Sequence, residues 1–81
     1  MIEMEIIRAS ETLGIIPHGN LQEIIEGIQT DALDLKEADL TNDPQKIKRS
    51  LGILVGELIV YCALKDISLT KCLEEAEDYF N

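Results

Sequence analysis

Residues 51–64, LGILVGELIVYCAL, are apolar almost all round yet carry one carboxylate, Glu57. A membrane span needs roughly 18 or more apolar residues with few charges, and this run is shorter and broken by Glu57. It reads as a core or interface helix. Successive helical residues are about 100° apart, so Ser50, Leu54, Glu57, Tyr61 and Lys65 share one narrow stripe, read as a partly exposed edge. Ile47, Leu51, Ile53, Val55, Leu58, Ile59, Val60, Cys62, Ala63 and Leu64 take up the rest of the circumference. A helix apolar on most faces must be covered by more than one neighbour. A chain of 81 residues achieves that most easily by self-association, as a homodimer or homotetramer built through this helix.

One domain covering residues 1–81 is expected, and a domain of this size buries only about 60% of its unfolded surface. With Tyr61, Tyr79 and Phe80 as its aromatic residues, the core has to come from Ile, Leu, Val and Ala, which suits packed helices. Sixteen acidic against seven basic residues give a formal charge of −9, which repels phosphate backbones and argues against nucleic acid or an anionic membrane as partner. An acidic chain can still reach phosphates through a bridging divalent metal, or present an acidic surface to a basic protein partner. The simpler reading is that the charge keeps a small protein soluble. The start, MIEMEIIRAS, has no basic flank or cleavage site of a signal sequence, so a cytoplasmic location is expected. Cys62 and Cys72 are then read as reduced core residues. With His18 as the one histidine there is no Cys/His zinc set and no nucleophile–base pair.

Four helices are legible, without repeats or strand-like alternation. The first runs from about Ile2 to Leu13, with Ile2, Ile6, Ala9 and Leu13 on one face, and Gly14, Pro17 and Gly19 mark the link after it. Asn20 is an N-cap, with Glu23 as its capping-box partner. The second helix carries Leu21, Ile24, Ile25, Ile28, Ala32 and Leu35 on one stripe and ends before ADLTNDP. Asp43 caps the third helix, Pro44 takes its first position, and the helix runs to about Lys65 or Asp66. Ser68 caps a short fourth helix with Leu69, Cys72, Leu73 and Ala76 facing inward. Short connections predict antiparallel neighbours.

The segments IIRASETLGIIPHGN, LQEIIEGIQTDAL and NDPQKIKRSLGILVGELIVYCALKDISLTKCLEEAEDYF together resemble the MazG-like nucleotide pyrophosphohydrolases, particularly the short forms of phages. The likeness covers nearly the whole chain and is most specific where the third helix leads into Ile-Ser-Leu and Cys-Leu-Glu-Glu-Ala. Phosphoribosyl-ATP pyrophosphohydrolases share the helix pattern more weakly. The resemblance implies an all-α, four-helix domain that cleaves a nucleoside triphosphate to monophosphate and pyrophosphate with Mg²⁺. Hard Mg²⁺ takes oxygen ligands and offsets the charge of the triphosphate before water attacks. Such enzymes supply Glu-x-x-Glu on the second helix and Glu-x-x-Asp on the third, the spacing placing each pair on one helical face.

This chain departs from that set. Matching Gly52 to the family's Gly puts Ile53 at the Asp position and Ser50 at the Glu position, and matching Leu21 puts Ile24 and Gly27 at the other two. Apolar packing at Ile24 and Ile53 would contribute roughly 1.5 to 3 kcal/mol for each side chain fully buried, and loss of the ligands removes most of the expected acceleration. A shift of one residue restores Glu23 and Glu26 as Glu-x-x-Glu, although on the solvated face, and Glu57 lies one turn beyond Ile53. These three are the candidate metal ligands, with Asp31 and Asp34 as weaker substitutes. Lys46, Lys48 and Arg49 are candidate phosphate-binding residues, set against the alternative that they offset nearby acids. Gly52 and Gly56 read as close-packing points between helices.

Three functions stay open on the sequence: a pyrophosphohydrolase relative with impaired or lost catalysis, a non-catalytic acidic module that binds a protein partner, and an active Mg²⁺-dependent hydrolase with rearranged carboxylates.

Overall fold

A computed structural model describes residues 4–8 and 20–81. Those residues are all-α, with no strand among them: residues 4–8 are helical (α1), followed by α2 (Leu21–Thr41), α3 (Pro44–Leu64) and α4 (Leu69–Phe80). The expected first helix is thus seen over 4–8, while its other positions, Gly14, Pro17, His18 and Gly19 fall outside the described residues.

The caps explain where the helices begin. Asn20 Oδ1 accepts from the N–H groups of Gln22 and Glu23 at 2.9 and 3.4 Å, and Asp43 Oδ1 accepts from Gln45 and Lys46 at 3.1 and 3.3 Å. Ser68 Oγ accepts from Lys71 N–H. Each cap satisfies helix N–H groups that have no partner within the helix. The second helix runs four residues past its expected end. Ala38 lies buried within this added turn, and packing there holds the polar ADLT segment helical. Asn42, at φ 56°, then stops it: the Asn42 and Asp43 N–H groups donate to the carbonyls of Asp39 and Ala38, a Schellman closure. Asp66, at φ 55°, closes α3 in the same way, with bonds from Asp66 to Ala63 and from Ile67 to Cys62.

Only Asn42 and Asp43 separate α2 from α3, which pack along each other as an antiparallel hairpin. The seam is drawn from Leu21, Ile24, Ile28, Asp31, Leu35 and Ala38 on α2 and from Ile47, Ser50, Leu54, Glu57, Tyr61 and Leu64 on α3, all withdrawn at least in part from solvent. Both sets advance by alternating steps of three and four, the spacing of a coiled-coil seam. Two expectations are corrected by it. Ile25 and Ala32 leave the α2 stripe and are exposed, their place taken by Asp31 and Ala38. On α3, the polar stripe of Ser50, Glu57 and Tyr61 faces its neighbour, whereas Leu51, Ile53, Val55 and Leu58 are exposed.

A second covered patch lies on the C-terminal half of α3, where Ile59 and Val60 are buried. Ile6 of α1 approaches Gly56 there, its Cδ1 standing 3.8 Å from where a Cβ would be. Among the described residues nothing stands within 4 Å of that position at Gly52, so none of them packs closely there. The fourth helix packs along neither α2 nor α3. Leu69 and Ala76 are half-buried, but Cys72 and Leu73 are exposed, which corrects their inward assignment. Cys62 is half-buried and no disulfide joins it to Cys72.

Candidate functional site

A carboxyl pair sits inside the α2–α3 seam. Asp31 and Glu57 occupy seam positions on facing helices, and one oxygen of each, Asp31 Oδ2 and Glu57 Oε2, is shut off from solvent with no hydrogen-bond partner. Gly27 makes room for the pair. A Cβ at that position would stand 2.8 Å from Glu57 Oε2 and 3.3 Å from Oε1, so the missing side chain of α2 is what lets the Glu57 carboxyl lie against the helix backbone.

Burial disfavours the charged form of Glu57, and Asp31 adds to this, first by accepting a hydrogen bond from the protonated acid and then by like-charge repulsion. Together they raise the Glu57 pKa from the usual 4.5 to about 7. The two orphaned oxygens follow from the same cause. Two ionised carboxylates can only accept, but one proton on Glu57 turns an acceptor–acceptor clash into a hydrogen bond.

The positions that the resemblance assigns to metal ligands supply no acids, and of them Gly27 lies against Glu57. Ile24 and Gly27 are half-buried on α2, Ser50 is half-buried on α3, and Ile53 is 43% exposed. Ile53 has therefore not become core, and neither isoleucine reaches the full burial on which the larger packing energy depends. Glu23 and Glu26 are exposed on the first turns of α2, apart from the seam that holds Glu57. Among the described residues, no group of three or more His, Cys, Asp or Glu side chains is arranged to hold a metal ion. The Asp31–Glu57 pair supplies two carboxyls, not the four acids that the MazG-like resemblance implies for a Mg²⁺ site.

Next to the pair, nearer the Asn42 turn, lies an open groove of about 290 Å³. Lys46, Arg49, Ser50 and Ile53 line it from α3, and Asp34 and Glu37 face them from α2. Two of the three candidate phosphate-binding residues thus share a groove, and Lys48 lies outside it. The acids opposite match the two cations in number, so the groove offers no excess positive charge to a phosphate.

No family model, curated protein or solved structure matches the chain. The local geometry therefore carries the functional argument.

The sequence offers Asp31 only as a weaker substitute ligand and Glu57 as a candidate metal ligand on what reads as a partly exposed helix edge. The signal that joins them was present in the alternating three-and-four spacing, which runs through Asp31 on α2 and Glu57 on α3.

Proposed function

We propose that the chain is a MazG-like pyrophosphohydrolase relative that has lost most or all hydrolysis and works through association with a protein partner. The observation that carries this reading is the Asp31–Glu57 pair. At the place where facing helices would present acids to Mg²⁺, Asp31 and Glu57 instead each keep one buried oxygen without a partner. A proton bound with a pKa of about 7 competes directly with a cation for the same oxygens. Ile24, Gly27, Ser50 and Ile53 supply no carboxylate to replace it.

The partner role is supported by α3, which leaves the aliphatic side chains of Leu51, Ile53, Val55 and Leu58 exposed. Formal charge speaks against nucleic acid as that partner. No helix among the described residues is long and apolar enough to cross a membrane.

A coupled assay for pyrophosphate, run with millimolar Mg²⁺ on a panel of ribo- and deoxyribonucleoside triphosphates, tests the proposal. We expect release no faster than in the protein-free control. Mg²⁺-dependent release that disappears in Glu57→Gln would instead establish an active enzyme with rearranged carboxylates.

A further inference from the structure

We infer that α4 is a docking helix whose partner is a basic amphipathic helix of another protein, laid along Leu73, Ala76 and Phe80. The inference rests on the reading that the chain works through a protein partner, and it adds the element that docks and the chemistry of what docks on it.

The residues of α4 separate into two faces. Leu69, Leu73, Ala76 and Phe80 advance by four, three and four, so on a helical wheel they fall within about 60° of one another. The same alternation runs through the seam between α2 and α3, and it is the spacing by which one helix receives another. Yet α4 packs along neither of those helices. Its base is tied down, because Leu69 shares a cavity of about 200 Å³ with Ile59, Ala63 and Ile67 at the end of α3. Beyond that base the stripe opens to solvent: Leu73 is 64% and Phe80 80% exposed, with the half-buried Ala76 between them. The Phe80 ring meets Tyr79 edge-on at 4.8 Å, so two aromatic rings stand together at the open end. One exposed leucine is ordinary, whereas a leucine and a phenylalanine in line across a small residue make a contact face.

Charge selects the partner. The rest of the wheel carries Glu74, Glu75, Glu77 and Asp78 against one base, Lys71. Two copies of α4 laid side by side would oppose like charges, whereas lysines and arginines flanking an apolar stripe would meet these carboxylates. Spacing selects the form of that partner. A stripe that steps by four and three over about three turns offers knobs and holes that a second helix matches, and the small Ala76 at its centre lets the two backbones approach. This is the helix mode of peptide recognition, with the acids on this chain and the bases on its partner.

The probe is a synthetic peptide of leucine and lysine placed at helical spacing, labelled for fluorescence anisotropy and titrated with the full chain. It should bind with a Kd below about 100 micromolar. A peptide of the same composition, rearranged so that its leucines share no face, should bind at least about tenfold more weakly. Absence of binding overturns the inference, and so does equal binding of the two peptides, since charge alone would then account for it. Leu73→Gln combined with Phe80→Gln should lose at least about tenfold in affinity, glutamine being chosen because it sustains a helix. A second variant leaves the apolar stripe whole: Glu74→Gln, Glu75→Gln and Glu77→Gln together should weaken binding and flatten its salt dependence. Parental affinity in either variant overturns the inference. Leu33→Gln with Leu40→Gln, exposed on α2, should bind as the parent does, and a loss there as large as on α4 overturns the assignment. Loss in Leu51→Gln with Leu58→Gln, with the α4 variants unaffected, would move docking to α3 and leave the association reading intact. Sedimentation equilibrium without peptide tests the remaining occupant: a multiple of the chain mass that falls to the single-chain value in Leu73→Gln with Phe80→Gln makes a second copy the partner of α4 and overturns the inference. The pyrophosphate assay is separate, because hydrolysis would refute the loss of catalysis and leave docking through α4 standing.

Discussion

Glu57 shows how one side chain can be read twice. On an isolated helix it is the lone charge in an apolar run; in the hairpin it lies against Gly27 and faces Asp31, and burial and that neighbour raise its pKa. Its pKa rises on folding, so the folded state binds more protons than the unfolded chain between about 4.5 and 7. The stability this gives is fully present below about 4.5 and is lost as pH rises through about 7. Glu57→Gln keeps the shape and a donor for Asp31 while removing the charge. We expect it to be more stable than the parent at pH 8 by about 1 to 2 kcal/mol, a value discounted for solvent screening at this partly open pair. The difference should vanish by pH 4.5. Urea unfolding of both proteins at the two pH values checks this, and a parent that gains stability relative to Glu57→Gln on going from pH 4.5 to 8 would contradict it.

Among the helices, the N-terminal ends were the more legible part. Asn20, Asp43 and Ser68 cap where their side-chain chemistry says they should, because a cap is a local interaction and depends on a few neighbouring residues. Asp43 also carries the turn between α2 and α3, so Asp43→Ala should cost about 1 kcal/mol. Asp66→Gly should have the opposite sign, adding about 0.5 to 1 kcal/mol by relieving a left-handed backbone in a residue with a Cβ. Thermal melts of the two variants against the parent test the pair of signs. Faces were less legible than ends. Apolar count placed Ile25 and Ala32 on the α2 stripe and Ser50, Glu57 and Tyr61 at an edge of α3, because hydrophobicity is an individual property whereas a seam is set by two helices together. Asp31 and Glu57 can be inside only because each meets the other, and the sequence of either helix alone does not contain that fact. Cys72 and Leu73 were assigned inward on amphipathic spacing, yet α4 packs along neither α2 nor α3, so the spacing marked an apolar face without identifying what lies against it.

The hairpin as a whole draws Asp31, Ser50 and Glu57 into an otherwise apolar seam and leaves Leu51, Ile53, Val55 and Leu58 exposed, and that arrangement links the three conclusions. It brings two carboxyls face to face, leaves the positions that a MazG-like resemblance would assign to metal ligands without acids, and exposes an aliphatic surface. All three rest on α2 and α3 meeting through Asp31 and Glu57. The most direct test is the titration of the Glu57 side-chain carboxyl carbon by NMR, in the intact chain, with and without millimolar Mg²⁺. A midpoint near pH 7 that Mg²⁺ does not move is the predicted result. A midpoint near the ordinary 4.5, or one driven down by Mg²⁺, would contradict the account.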